Sequence, residues 1–157
     1  MEIILIKDFL LTAIFASIPA VGFGMLFNVP KTALKYCAIG GSITYTLREI
    51  FINFNFPIEL ATFLASMIIG IIALYWSRKN LVPRPIYTVP SIIPMIPGTY
   101  AFTAVIALVD MNSHGVTTEL IAIFIENGLK SISILGAISF GLAIPSLYFM
   151  RYKRPII

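Results

Sequence analysis

One cysteine, one histidine and few charges are what this 157-residue chain has least of, and each shortage removes a class of function. Cys37, standing alone, cannot close an internal disulfide, and with His114 as the only histidine no spacing of soft ligands suggests a metal. Cys37 therefore reads as a small packing residue, and His114 as a solvated loop residue. No glycine-rich phosphate loop, no Ser/His/Asp or Cys/His set and no pair of acids on one helix is present, which speaks against an enzyme and against a cofactor. Charged residues make up 11% of the chain, against about 25% in soluble domains. The net charge of +4 is small and scattered, so nucleic acid is not an expected partner.

What the chain has instead is apolar length. The mean hydropathy is +0.95, and 59% of residues are hydrophobic. Four stretches carry no formal charge: 9–27, 60–77, 85–109 and 131–150. About 20 apolar residues make a helix that crosses the ~30 Å hydrocarbon core of a bilayer. The expected fold is all-α, a polytopic integral membrane protein of four to five transmembrane helices, one of them broken by proline. The chain reads as a single transmembrane domain over 1–157, with spans near 9–27, 31–52, 60–77, 86–109 and 131–150. The first run follows Lys7 and offers Ala20-Val21-Gly22 to a signal peptidase, but Asp8 abuts it and its length exceeds a signal core, so it is read as a retained span.

The span 31–52 differs from the others, since only Tyr36 to Leu47 is free of charge. Lys31 and Lys35 can snorkel at one end, with Arg48 and Glu49 near the other. Loop charge arbitrates. Four spans divide Lys and Arg seven to four between the two sides; five spans divide them eight (Lys31, Lys35, Arg78, Lys79, Arg84, Arg151, Lys153, Arg154) to three (Lys7, Arg48, Lys130). Cytoplasmic loops hold the excess, so five spans are expected, and either count leaves the C-terminus cytoplasmic. Residues 119–128 read as a short interfacial or re-entrant helix, preceded by a turn built from Asp110, Asn112, Ser113 and Gly115.

Small residues recur at every fourth position: Thr12, Ala16, Ala20 and Gly24; Ala33, Cys37 and Gly41; Thr62, Ser66 and Gly70; Ser133, Ala137 and Gly141. That spacing lines one helix face and lets another backbone approach closely. Gly24, Gly41, Gly70 and Gly141 are the packing positions, and one or more stripes are expected at an interface with another subunit.

Five of the ten prolines fall between 83 and 97, with Gly98 next. Each proline within a helix removes a donor and frees the carbonyl four residues back, here those of Ile86, Pro90 and Ile93. Such groups persist at membrane depth only when buried in protein or lining a watered cavity. If the chain breaks at Pro97-Gly98 and restarts at Thr99, the amides of Thr99, Tyr100 and Ala101 form a helix N-terminus that favours anions. Broken helices of this kind hold substrate near the midplane of secondary transporters. Pro94, Pro97, Gly98, Thr99 and Tyr100 are thus candidate substrate-binding residues, with Arg48 as a further anion contact. Glu49, Glu59 and Glu126 are possible charge partners. A proline-kinked structural helix is the competing reading.

The runs IPAVGFGMLFNVP (18–30), CAIGGSITYTLRE (37–49), FLASMIIGIIALYWSR (63–78) and IPMIPGTYAFTA (93–104) resemble the YjjB-type small membrane proteins of the threonine/serine exporter family, and the likeness extends to the basic tail KRP (153–155). The resemblance implies a transporter subunit of the bacterial cytoplasmic (inner) membrane, acting in a hetero-oligomer with a second, YjjP-type membrane subunit. Such pairs export small carboxylates, succinate or another dicarboxylate; the longer relatives export threonine or serine. A non-transporting structural or assembly subunit is the remaining alternative. The hydrolase-like soluble region of full-length exporters has no counterpart in these residues, and the resemblance brings no binding residues with it.

Overall fold

The computed structural model describes the backbone of residues 2–151 and the side chains of residues 9–149; the basic tail 152–157, with Lys153 and Arg154, lies outside the described residues. Every described element is helical: α1 (Glu2–Leu26), α2 (Lys31–Asn53), α3 (Ile58–Asn80), α4 (Pro85–Ile92), a 3-10 turn (Ile93–Met95), α5 (Gly98–His114) and α6 (Thr118–Arg151). By length and composition three helices suit a membrane crossing: α1, α3 and α6. They become four if α4 with its 3-10 turn and α5 are one interrupted span. The helix α2 has 23 residues, roughly 34 Å at ~1.5 Å per residue, but its charged and polar residues leave it less apolar than that set.

Two boundaries differ from the sequence expectation. The segment 119–128 is no separate helix; it is the beginning of α6, which continues to Arg151. The polar cluster at 126–130 reads as a boundary, yet Asn127 donates its side-chain amide to the Ile123 carbonyl at 2.9 Å, a local bond compatible with the helix it sits in. Likewise Asp110, Asn112 and Ser113 are not turn residues. The helix α5 keeps them and stops at Gly115, whose φ of 91° suits glycine and ends the helix.

The described residues fall into two compact units. Of these, residues 2–95 and 137–151 form one and residues 96–136 the other. In the larger unit α1 and α2 are antiparallel. Ser42 Oγ donates to the Ala13 carbonyl at 2.7 Å, and a Cβ placed on Gly41 would lie 2.5 Å from the Ala20 Cβ and 3.0 Å from the Ala16 oxygen. On α3, Ser66 Oγ lies 3.4 Å from the Ala137 carbonyl, and a Cβ on Gly141 would meet the Ser66 hydroxyl and come 2.7 Å from the Phe63 oxygen. Gly24 and Gly70 are looser, with nearest approaches of 3.1 Å to Leu34 and 3.3 Å to Pro145. The four small-residue stripes therefore meet one another inside the chain, the first with the second and the third with the residues around Ala137 and Gly141. Close approach that apolar bulk would prevent is used for packing within the chain.

Tyr36, Trp76 and Tyr87 close one end of this unit, with ring centroids 5.1, 5.5 and 6.0 Å apart. Such tilted and edge-on pairs stabilise beyond their buried area. They join the start of α2, the end of α3 and the start of α4, so α3 runs antiparallel to α2, and α4 parallel to it.

Candidate functional site

The prolines of α4 decide what α2 must supply. Pro90 cannot donate to the Ile86 carbonyl, and that oxygen instead lies 3.5 Å from the Cys37 thiol, which donates to it. One turn on, the Ser91 carbonyl accepts from Thr44 Oγ1 at 2.6 Å. At the end of the 3-10 turn the Met95 carbonyl accepts from Arg48 Nη1 at 3.1 Å. The Pro90 carbonyl, which Pro94 would leave bare, is taken by the Ile93 amide. Cys37, Thr44 and Arg48 lie seven and four residues apart, one face of α2. That face gives side-chain donors to one carbonyl freed by a proline, Ile86, and to two at the ends of α4 and of the 3-10 turn, Ser91 and Met95. Gly40 admits the contact, since a Cβ there would collide with Ser91.

Arg48 is the charged member, 8% exposed and between one and two turns from the end of α2. Its guanidinium lies over the Tyr45 ring, 4.5 Å from the centroid, and Nη2 is 3.9 Å from Glu49 Oε1. Its Nε is buried without an acceptor among the described residues, as is the Thr46 hydroxyl. Tyr45 and Pro94 line a groove of about 570 Å³ whose other wall is α1, through Thr12, Phe15 and Pro19. Arg48 itself does not line it and reaches it only through the Tyr45 ring. Sequence reasoning missed this groove: Tyr45 and Pro19 carry no charge and no motif, and their meeting depends on helix register.

A second arginine also donates to a backbone carbonyl. Arg84 Nη2 donates to the Leu142 carbonyl at 3.0 Å, three residues before Pro145, which lies inside the continuous helix α6, and its Nη1 is buried without a partner among the described residues. Sequence reasoning left Arg84 among the loop charges.

Pro97, Gly98, Thr99, Tyr100 and Glu126 belong to the smaller unit, and Glu59 to the larger one. Pro97 is buried, Gly98 and Thr99 are exposed and Tyr100 is half-buried. The helix α5 begins at Gly98, one residue earlier than expected. The Gly98 amide donates to Ile96 and the Ala101 amide to Pro97, so Ala101 drops out of the anion site and Thr99 and Tyr100 supply the free first-turn donors. Lys130 Nζ stands 5.2 Å from the Tyr100 ring, a cation beside that helix start. Glu59 lies in the first turn of α3, where the helix dipole favours a carboxylate. Glu126 is exposed, and neither acid is in an ion pair among the described residues. No group of three or more His, Cys, Asp or Glu is gathered for a metal among the described residues.

Long apolar helices, a proline-interrupted pair and an arginine sealed within the bundle define a multi-pass α-helical membrane protein. Residues 12–148 match the family model described as "Threonine/Serine exporter, ThrE", and the chain belongs to that family of membrane transporters. No solved structure matches the chain.

Proposed function

We propose that this chain is a YjjB-type subunit of a secondary transporter that exports small carboxylates, succinate or another dicarboxylate, together with a YjjP-type membrane subunit in the bacterial inner membrane. The observation that carries the reading is a buried arginine bonded to the last carbonyl before a helix break, in a chain whose residues 12–148 belong to an exporter family. Ionisable groups within spans mark substrate routes, and broken helices hold substrate in transporters. Within the larger unit, the groove at Tyr45 and Pro94 is the contact proposed for the solute. Threonine or serine is the second reading, favoured by the family description; both solutes present a carboxylate. The need for a second subunit follows from the two repeats that transporters place around a central site, of which this chain supplies at most one. A homodimer would meet the same need.

Vesicles holding this chain alone, the second subunit alone, or both, and preloaded with labelled succinate or labelled serine, test the proposal. Efflux is expected only from the paired vesicles, and faster for succinate. Efflux from the second subunit alone at the paired rate would reduce this chain to an assembly role, and serine outrunning succinate would reverse the substrate assignment.

We further infer that α2 is a fifth crossing. The start of α2 and the end of α3 share one aromatic cluster, which supports grouping Lys31 and Lys35 with Arg78, Lys79 and Arg84 on the cytoplasmic side. A reporter at the N-terminus is then expected to read outside and one at the C-terminus inside. Two cytoplasmic readings would return the count to four.

A further inference from the structure

At the end of the larger unit opposite Arg48, Thr32, Lys35 and Tyr36 face Asn80, Val82 and Tyr87 around a recess of about 250 Å³. Each of its polar side chains can donate a hydrogen bond. The Lys35 ammonium stands 5.3 Å from the Tyr36 ring, and Thr32 adds a hydroxyl. The Tyr87 oxygen accepts from Asn80 Nδ2 at 3.1 Å, which leaves the phenol proton and the second amide proton of Asn80 to be given elsewhere. No carboxylate competes: no Asp or Glu occurs in residues 27–48 or 60–109. Lys31, Arg78 and Lys79 are close in sequence to lining residues. Thr32 belongs to the first turn of α2, the positive end of its dipole.

Four residues deeper than Lys35, on the same face of α2, Ile39 is 48% exposed. Polar donors over an exposed apolar side chain match an amphiphile whose head is anionic, at a depth where basic pockets between helices take lipid headgroups. We propose that this recess binds a phosphate group, carried by the headgroup of an anionic phospholipid or arriving as inorganic phosphate. The site is separate from the groove at Tyr45 and Pro94, and its occupancy does not depend on what the chain exports.

Trp76, the only tryptophan, packs against both Tyr36 and Tyr87 and so reports on the recess. The test uses the full chain in micelles doped with phospholipid brominated on the acyl chain, which quenches tryptophan at short range. Phosphatidylglycerol is expected to quench at a mole fraction about fivefold below phosphatidylcholine. Lys35→Gln should abolish that difference and Lys35→Arg should restore it; both are changes at an exposed side chain that leave the core intact. Millimolar inorganic phosphate separates the sources. Persistence of the difference assigns the site to a lipid headgroup, and its loss, with a saturable change in Trp76 emission, assigns it to free phosphate. Equal quenching by the two lipids with no response to phosphate overturns the proposal, as does a preference that survives Lys35→Gln.

Discussion

Gly41→Leu is expected to lower the thermal stability of the detergent-solubilised protein sharply and to deplete it from the membrane. A single carbon at this position already lies 2.5 Å from the Ala20 Cβ and 3.0 Å from the Ala16 carbonyl oxygen. Neither is the far end of a flexible side chain, so α1 and α2 have to separate. Overpacking of this kind costs about 1 to 3 kcal/mol, occasionally more. Separation would also stretch the 2.7 Å bond from Ser42 to the Ala13 carbonyl. Gly98→Leu is the control, because nothing lies within 4 Å of a Cβ there; its thermal midpoint should stay near that of the parent. Equal midpoints for Gly41→Leu and Gly98→Leu would refute close α1–α2 contact. Reduced flux for Gly98→Leu at normal abundance would, by contrast, point to the start of α5 as part of the solute route.

The second large effect is expected at Arg48. Glutamine there is too short to keep the Met95 carbonyl, which is left unpaired in an apolar setting at a cost of about 1 to 3 kcal/mol. It also removes the cation from the Tyr45 ring, worth ~0.5 to 2 kcal/mol. Efflux through the paired vesicles should fall about tenfold or more at matched abundance. Lysine keeps the charge without the planar fork that serves Met95 and Tyr45 together, so Arg48→Lys is expected to recover little of the loss. Because Arg48 meets the groove only through Tyr45, maximal rate should fall more than apparent affinity. A variant with parental flux would strip Arg48 of any part in transport, and one whose affinity alone collapses would restore it to direct contact with the carboxylate.

How much of this was legible before the fold was seen varies with the kind of signal. Charge-free runs mark α1, α3 and the later part of α6 because a helix in lipid has to be apolar along its whole length, and that is written residue by residue. The first part of α6 was hidden for the same reason: Glu126 and Lys130 interrupt the run, yet a helix tolerates such residues in its interior. A break was readable from proline chemistry, expected at Pro97-Gly98 and found one residue earlier, at 96–97. Its relation to Arg48 was only half readable, since a charge inside an apolar segment announces a role without naming a partner 47 residues away. The register between α2 and α4 is set by packing, and its one trace in the sequence is the run Cys37, Gly41, Thr44 and Arg48, small residues and donors at helical spacing. Of the Tyr45 groove only Pro94 was marked, and the Tyr87 recess left no trace, because their residues come from separate segments that meet only in the fold.

A helix that keeps its own hydrogen bonds behaves as a rod, stiff whatever stands beside it. The prolines make α4 and its 3-10 turn something else, a short strut laced at Ile86, Ser91 and Met95 to Cys37, Thr44 and Arg48. Its rigidity is borrowed from α2, and the two should travel as one body under any load. Slack in the chain then collects just past the last lace, at residues 96 and 97, where the backbone is between helices. Cutting the lace nearest that point loosens the strut where it ends, while cutting the one at Cys37 leaves its free end anchored.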